Sequence, residues 1–280
     1  MHPLSPERRR LFADQARSAR PDLAQLCLLI GAEADPDLDD AGMRAARRIL
    51  DLLADQLAER LPDMAGDPRS WALALAELLG ARHGFGGRPG DYQQLRSALL
   101  HEVLRRRRGL PILLSVVWIE VARRAGLPVH GVALPGHFVV GFGAKDEQVL
   151  ANPFAGGDVL EATDAELLVA GATGAPLVPS MLSPAGPLDI VLRVLNNIRA
   201  WAAARPERSD VALWAVELSL LLPAHSDRLH YDRAQLLVQR GDFLAGALEI
   251  DTYADTLAAT DEAAATRLRQ EARGARAMLN

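Results

Sequence analysis

The chain has 280 residues, with 31 Lys and Arg against 36 Asp and Glu for a formal charge of −5; 49% are hydrophobic and only 5% aromatic. That length suits one large domain or two smaller ones with a sizeable core, the mild acidity argues against wholesale nucleic-acid binding, and the Ala- and Leu-rich composition favours helix over sheet. The single cysteine, Cys27, excludes an intrachain disulfide and any cysteine-based zinc site.

No apolar run reaches the ~18–20 residues of a bilayer span, and the arginine-rich stretch from Met1 to Arg10 does not read as a signal peptide. A cytoplasmic location is the resulting expectation. Residues 5–30 read as one or two helices. Cys27 lies in the apolar run Leu23–Ile30 and reads as a buried structural thiol, with a nucleophile brought to a distant histidine, His137, by folding as the other reading. Asp35–Asp40 is an acidic loop, with Asp39 or Asp40 placed to cap a helix over Ala41–Leu61 whose Leu50, Leu53, Leu57 and Leu61 share a face. Ser70–Leu79 reads as the next helix, with Ser70 as its N-cap. The glycine-rich turn Gly84–Gly90 lacks the Gly-Lys-Ser/Thr of a phosphate loop.

Tyr92–Arg107 is expected to be a helix. The run Arg105–Arg108 at its end complements the helix dipole and reads as a solvated terminus, with an anion- or partner-binding patch as the other reading. Pro111–Arg124 is a largely apolar core helix, and proline suits its first turn, where the missing N–H has no helical partner. Val129–Leu134 and Phe138–Phe142 are short β-branched runs about a Pro135-Gly136 turn, which predicts an antiparallel pair; Val149–Ala151 is a third strand beyond the exposed loop Lys145–Glu147. Ala175–Pro187, with four prolines, is a boundary loop. Everything after Asp189 reads helical: 190–204, 210–222, 226–239, 242–257 and a last helix from Asp261. Gly241-Asp242-Phe243 looks like the turn of a tetratricopeptide repeat, but no second clean copy follows at the ~34-residue period. The expected fold class is α+β: mostly helical, with a small antiparallel sheet packed on a core helix and a C-terminal helical region. The expected parts are residues 1–90, 91–175 and 188–280.

The chemistry concentrates between Ser97 and Leu160. His137 stands between a Pro-Gly turn and an apolar strand, and Asn152 follows fifteen residues on. A histidine oriented by an amide or carboxylate is the second half of a Cys-His-Asp/Asn unit. A neutral imidazole would donate one N–H to the Asn152 side-chain oxygen and turn its other nitrogen to a cleft. Ser115 is a candidate nucleophile one helical turn after Pro111 and on roughly the same face. That turn displaces its hydroxyl by about 5–6 Å, beyond hydrogen-bond reach, so the plainer reading is a small core residue. Tyr92, Ser97 and His101 have no spacing argument behind them. His2, His83, His130, His225 and His230 form no metal pattern.

The stretch resembles transglutaminase-like cores, in which a nucleophilic Cys opens a helix that ends about fifteen residues later in a Gly-Ile-Pro-type turn. Here the turn is Gly126-Leu127-Pro128, and fifteen residues back stands Pro111. The chain as a whole, roughly residues 25 to 260, resembles the bacterial SirB family, which joins such a core to tetratricopeptide-like helices. The matching residues are Arg107-Arg108-Gly109-Leu110-Pro111-Ile112-Leu113-Leu114-Ser115, Gly131–Phe138 with its Pro-Gly-His-Phe block, and Asn152-Pro153-Phe154 with Gly156-Gly157. Asp35–Asp39, Val194–Ile198 and Tyr231–Ala234 add to them. Where that family usually carries Asn-Ser the chain has Arg96-Ser97, and where it usually carries Asp it has Asn152.

The resemblance implies a transglutaminase-like or papain-like core that has lost cysteine-based acyl transfer, since Pro111 has no nucleophilic atom. The expected function is binding, scaffolding or regulation through a residual His137–Asn152 cleft and the C-terminal helices, with a protein or peptide partner. No cofactor, metal, nucleic acid or membrane is expected. The alternative is an amide-acting hydrolase or acyl transferase that uses Ser115, or an activated water, with His137 as base. A third reading is an adaptor in which residues 205–280 alone bind a partner.

Overall fold

The computed structural model describes residues 6–61 and 66–279, the side chain of Asp146 excepted; His2 lies outside them. The described residues form two compact units, one of residues 6–8 with those between Ala19 and Val194, the other of Arg9–Ser18 with residues 195–279. The fold is α+β, mostly helical with one small antiparallel sheet, as the composition and strand patterns predict.

The first unit is organised around α6 (Pro111–Arg124), whose residues from Pro111 to Ala122 are all buried. Its apolar surface on every side explains this: a helix hydrophobic all round must be enclosed. Helices α2 (Leu23–Ala34), α3 (Asp40–Ala58) and α5 (Leu100–Arg106) pack on it, as do strands β1 (Val129–Val132) and β2 (Val139–Phe142). Even Glu120 is enclosed, paired with Arg123 and Arg124. The sheet has the order β4-β3-β2-β1-β5, with β3 at Val149–Asn152, β4 at Asp158–Leu160 and β5 at Pro184–Ala185, every pair antiparallel. Val132, Leu134, Val139 and Leu150 form a core with Ala165 and Val169 of α7 (Ala162–Thr173).

Several expectations are corrected. The helix expected over Tyr92–Arg107 is broken into two 3₁₀ turns, Pro89–Gln93 and Leu95–Ala98, followed by α5. The cause is Asp91, which is 1% exposed. Its carboxylate accepts the Arg88 N–H at 2.8 Å, the Ser97 hydroxyl at 3.2 Å and the Arg108 guanidinium at 2.7 Å. A side chain that bonds nearby backbone in this way competes with helix formation. The four arginines accordingly do not share a helix end: α5 stops at Arg106, Arg107 is its left-handed cap at φ 58°, and Arg108 turns inward to Asp91. Helix α4 (Pro68–Leu75) begins earlier than expected, capped by Asp67 rather than Ser70. Ser70 instead donates its hydroxyl to Asp67 at 2.6 Å. The chain continues as a π-helix over Ala76–Arg82, where the Cα of Gly80 lies so close to the Gly156 carbonyl that a Cβ would sit 1.9 Å from the oxygen. β4, β5 and α7 were not foreseen, although Glu161 and Asp164 form a capping box at the start of α7.

In the N-terminal segment α1 (Pro6–Ala16) precedes α2. Asp39 caps α3 through the Gly42 N–H, one of the two caps expected there. α8 (Pro187–Ala203) crosses the division between the units. In the second unit α9 (Ser209–Leu220), α10 (Arg228–Gln239), α11 (Phe243–Ala258) and α12 (Glu262–Ala277) pack in sequence, each on the next. Gly241, at φ 89°, turns the chain between α10 and α11, and Gly246 lets those helices approach closely. Their core is small, built on Ala234, Ala247, Ile250, Ala272 and Ala275.

Candidate functional site

His137 owes its position to turn chemistry. Its N–H donates to the Leu134 carbonyl at 3.1 Å across Pro135-Gly136, and Gly136 has φ 70°. Proline then glycine at the two central positions, the second left-handed, is the type II pattern. The turn delivers the imidazole at the head of β2, half-buried. Asn152 ends β3 and caps the 3₁₀ turn Pro153–Ala155. Pairing of β2 with β3 places the two residues side by side, and the His137 Nε2 lies 3.0 Å from the Asn152 Oδ1.

The same Oδ1 accepts the Phe154 N–H at 3.1 Å. An amide nitrogen cannot accept, so this second bond identifies the oxygen and makes the imidazole Nε2 the donor. In the neutral form of the ring Nε2 is the protonated nitrogen, and Nδ1 carries the lone pair. Among the described residues Nδ1 has no protein partner, and it is not a buried orphan. An imidazole held this way can present Nδ1 as a hydrogen-bond acceptor.

The attacking half of the site is different in kind. Pro111 is buried at the first position of α6 and brings no polar side-chain atom. The Ser115 hydroxyl is fully buried and donates to the Phe138 carbonyl at 3.4 Å, not to His137. Cys27 is buried in α2, and burial, reinforced by the Glu120 and Asp22 carboxylates, pushes its thiol far up from the ordinary value. A thiol so held is inert. His101 belongs to another cluster, with Nε2 3.2 Å from the Asp35 carboxylate. Burial pushes its imidazole down from the ordinary value, against the pull of Asp35. Ser97 serves Asp91, as described above. Among the described residues no three His, Cys, Asp or Glu side chains gather as metal ligands, and no helix is long and apolar enough to cross a membrane.

The packing around His137 involves contacts that have no signal in the sequence. Phe154 meets the imidazole edge to face at 6.3 Å and the Tyr92 ring at 5.9 Å, so it bridges the two. Gly87 makes room for that phenyl ring: a Cβ there would sit 1.9 Å from it. Arg193, on α8, donates through Nη2 to the carbonyls of Leu134 at 2.8 Å and His137 at 2.9 Å, and its guanidinium lies over Phe138 at 5.6 Å. A glycine-rich turn with no phosphate pattern gave no hint of packing on Phe154. Arg193 is separated by more than fifty residues from the turn it ties, with no local pattern to connect them.

The profile of the transglutaminase-like superfamily matches residues 44–196. A UPF0162 protein of Xylella fastidiosa is 31% identical over 227 residues, covering 78% of each chain. A UPF0162 protein of Pseudomonas aeruginosa is 32% identical over 188 residues, covering 67% of each. The F-box only protein 21 of mouse is 24% identical over 153 residues, 52% of this chain and 24% of its own. The superfamily match takes in α6, the His137 turn and the Asn152 cap together, and the chain belongs to the transglutaminase-like superfamily, alongside the UPF0162 proteins.

Proposed function

We propose that this is a transglutaminase-like protein without acyl-transfer chemistry, which binds a protein or peptide partner through the His137–Asn152 cleft and the C-terminal helices. One observation carries the reading: the orienting half is assembled to the correct tautomer, while the position that would attack holds a proline. Ser115 offers no replacement, because its hydroxyl is enclosed in the core and spent on a backbone carbonyl. The SirB-type architecture, a core followed by tetratricopeptide-like helices, fits the sequential packing of α9–α12. In the second unit a groove lined by Ala200, Val216 and Leu236 with Asn196, Gln235 and Gln239 offers apolar surface and amides to a bound chain, its Arg199 and Asp232 being paired with each other.

The test is turnover. Wild-type protein and His137→Ala, both shown folded by circular dichroism, are assayed for ammonia release from glutaminyl peptides and for amide hydrolysis. Equal background rates, with partner binding largely intact in His137→Ala, are the expected result. The open Nδ1 favours one second reading, a hydrolase in which His137 activates a water. Turnover by the wild type that a folded His137→Ala lacks would establish it and remove the first. If residues 205–280 alone made the contact, deleting them from a stable core would abolish binding.

A further inference from the structure

We infer that the Arg193 guanidinium, held at the His137 turn, receives a ligand bearing a carboxylate and takes its charge. The inference rests on the binding reading above and names the chemistry of what is bound.

Arg193 is half-buried, and among the described residues no carboxylate pairs with it. Burial pushes the guanidinium down from its ordinary value, with Tyr92 offsetting part of this. Withdrawing a cation from water without a counter-charge is costly. The other enclosed or half-buried arginines around α6 and α5 are paired: Arg124 with Glu120 and Asp51, Arg108 and Arg106 with Asp91.

Tying down the Leu134 and His137 carbonyls does not account for the charge. Both bonds come from Nη2 alone, and the NH₂ of a neutral Gln or Asn makes the same two bonds. Nε and Nη1 make no protein hydrogen bond among the described residues and are not buried orphans, so three N–H groups and the positive charge remain on offer. The surroundings give the site further means of recognition. The Tyr92 hydroxyl has no protein hydrogen bond among the described residues, and Tyr92 is 48% exposed. His137 presents Nδ1 from the turn that Arg193 holds. A guanidinium held by two carbonyls and backed by the Phe138 ring is preorganised, so little rotamer entropy is lost when an anion arrives.

A carboxylate arrives either as a small free anion or as the terminus of a peptide chain. The probes are therefore acetate, N-acetyl-trialanine with a free carboxylate, and the same tripeptide as its C-terminal amide. Each is titrated against the full chain while the His137 imidazole resonances, assigned with His137→Gln, are followed by NMR. The peptide acid is expected to saturate the shift and to bind at least about tenfold more tightly than its amide, the factor a charge-assisted hydrogen bond provides. Acetate as tight as the peptide acid makes the ligand a small anion; a peptide acid about tenfold tighter makes it a chain terminus. Arg193→Met should remove the preference for acid over amide, and Arg193→Lys should keep part of it. Equal binding of acid and amide, saturation by none of the three, or an undiminished acid preference in Arg193→Met each overturns the inference. If Arg193→Met does not fold, the acid-against-amide comparison on the wild type decides alone. Failure here leaves the binding reading standing when the amide binds as well as the acid. That reading falls separately, by His137-dependent turnover.

Discussion

The two halves of the site teach opposite lessons about what a fold can lose. On the hairpin side the two polar residues each have a structural task besides any chemical one. Asn152 caps the turn that carries Phe154 while it orients His137, and His137 closes the turn that Arg193 holds. On the α6 side, Pro111 needs only to start a helix and fill space. A nucleophile can vanish from such a position without disturbing a hydrogen bond, whereas the orienting pair is tied into the backbone. The assembled His–Asn pair is thus weak evidence for turnover and strong evidence for the architecture.

That contrast is broken or sharpened by substitution, beginning with the buried side. Trp118 is fully enclosed, edge to face with Phe85 at 6.2 Å. Trp118→Ala should cost about 3–5 kcal/mol, seen as a lower denaturation midpoint, and should loosen the whole first unit. Asp91 comes next, because it fixes the broken segment that presents Tyr92. Burial opposes its ionisation, but Arg108, the Arg88 N–H and Ser97 together outweigh that and hold its carboxyl below the ordinary value. A depressed folded-state pKa gives stability that is fully present above the unfolded value near 4 and is lost as pH falls through the folded one. Asp91→Asn should cost about 1–3 kcal/mol near neutrality and flatten the acid limb of stability against pH. An unchanged acid limb would mean that Arg108 does not hold this carboxylate in solution.

On the hairpin side Asn152→Ala removes both the cap and the His137 acceptor, an expected loss of about 1–2 kcal/mol. NMR should show the Nε2–H resonance of His137 broadened by exchange with water. A sharp, protected resonance in that variant would show that the ring is oriented by something other than Asn152.

Legibility in the sequence followed the range of the forces involved. The core helix, the strands and the Pro-Gly turn were readable because apolar runs and turn residues act within a few positions. The His137–Asn152 bond was readable because hairpin register converts a fifteen-residue spacing into adjacency. The broken segment from Pro89 to Arg106 was not, since its helical pattern is overridden by Asp91 reaching Arg108, seventeen residues away. Arg193 was invisible for the same reason at longer range. Strands of three and two residues such as β4 and β5 are too short to show a period, and β5 is defined only by what it pairs with.

The smallest expected effect on stability tests the comparison most directly. Pro111→Cys exchanges one buried small residue for another at a helix start, and relaxing the unfolded chain should cost under about 1 kcal/mol. It would place a thiol where the superfamily resemblance puts the nucleophile, on a helix that packs against both β2 and the turn after Asn152. Its alkylation by iodoacetamide should be far faster than that of Cys27, whose labelling requires unfolding because the thiol is enclosed and its pKa is raised. If the His137 Nδ1 faces this position, His137→Ala in the Pro111→Cys background should slow alkylation by about tenfold, since a neighbouring imidazole raises the thiolate fraction. A rate indifferent to His137 would mean that Pro111 does not stand opposite the imidazole. The position matching the superfamily's nucleophile would then lie elsewhere along α6.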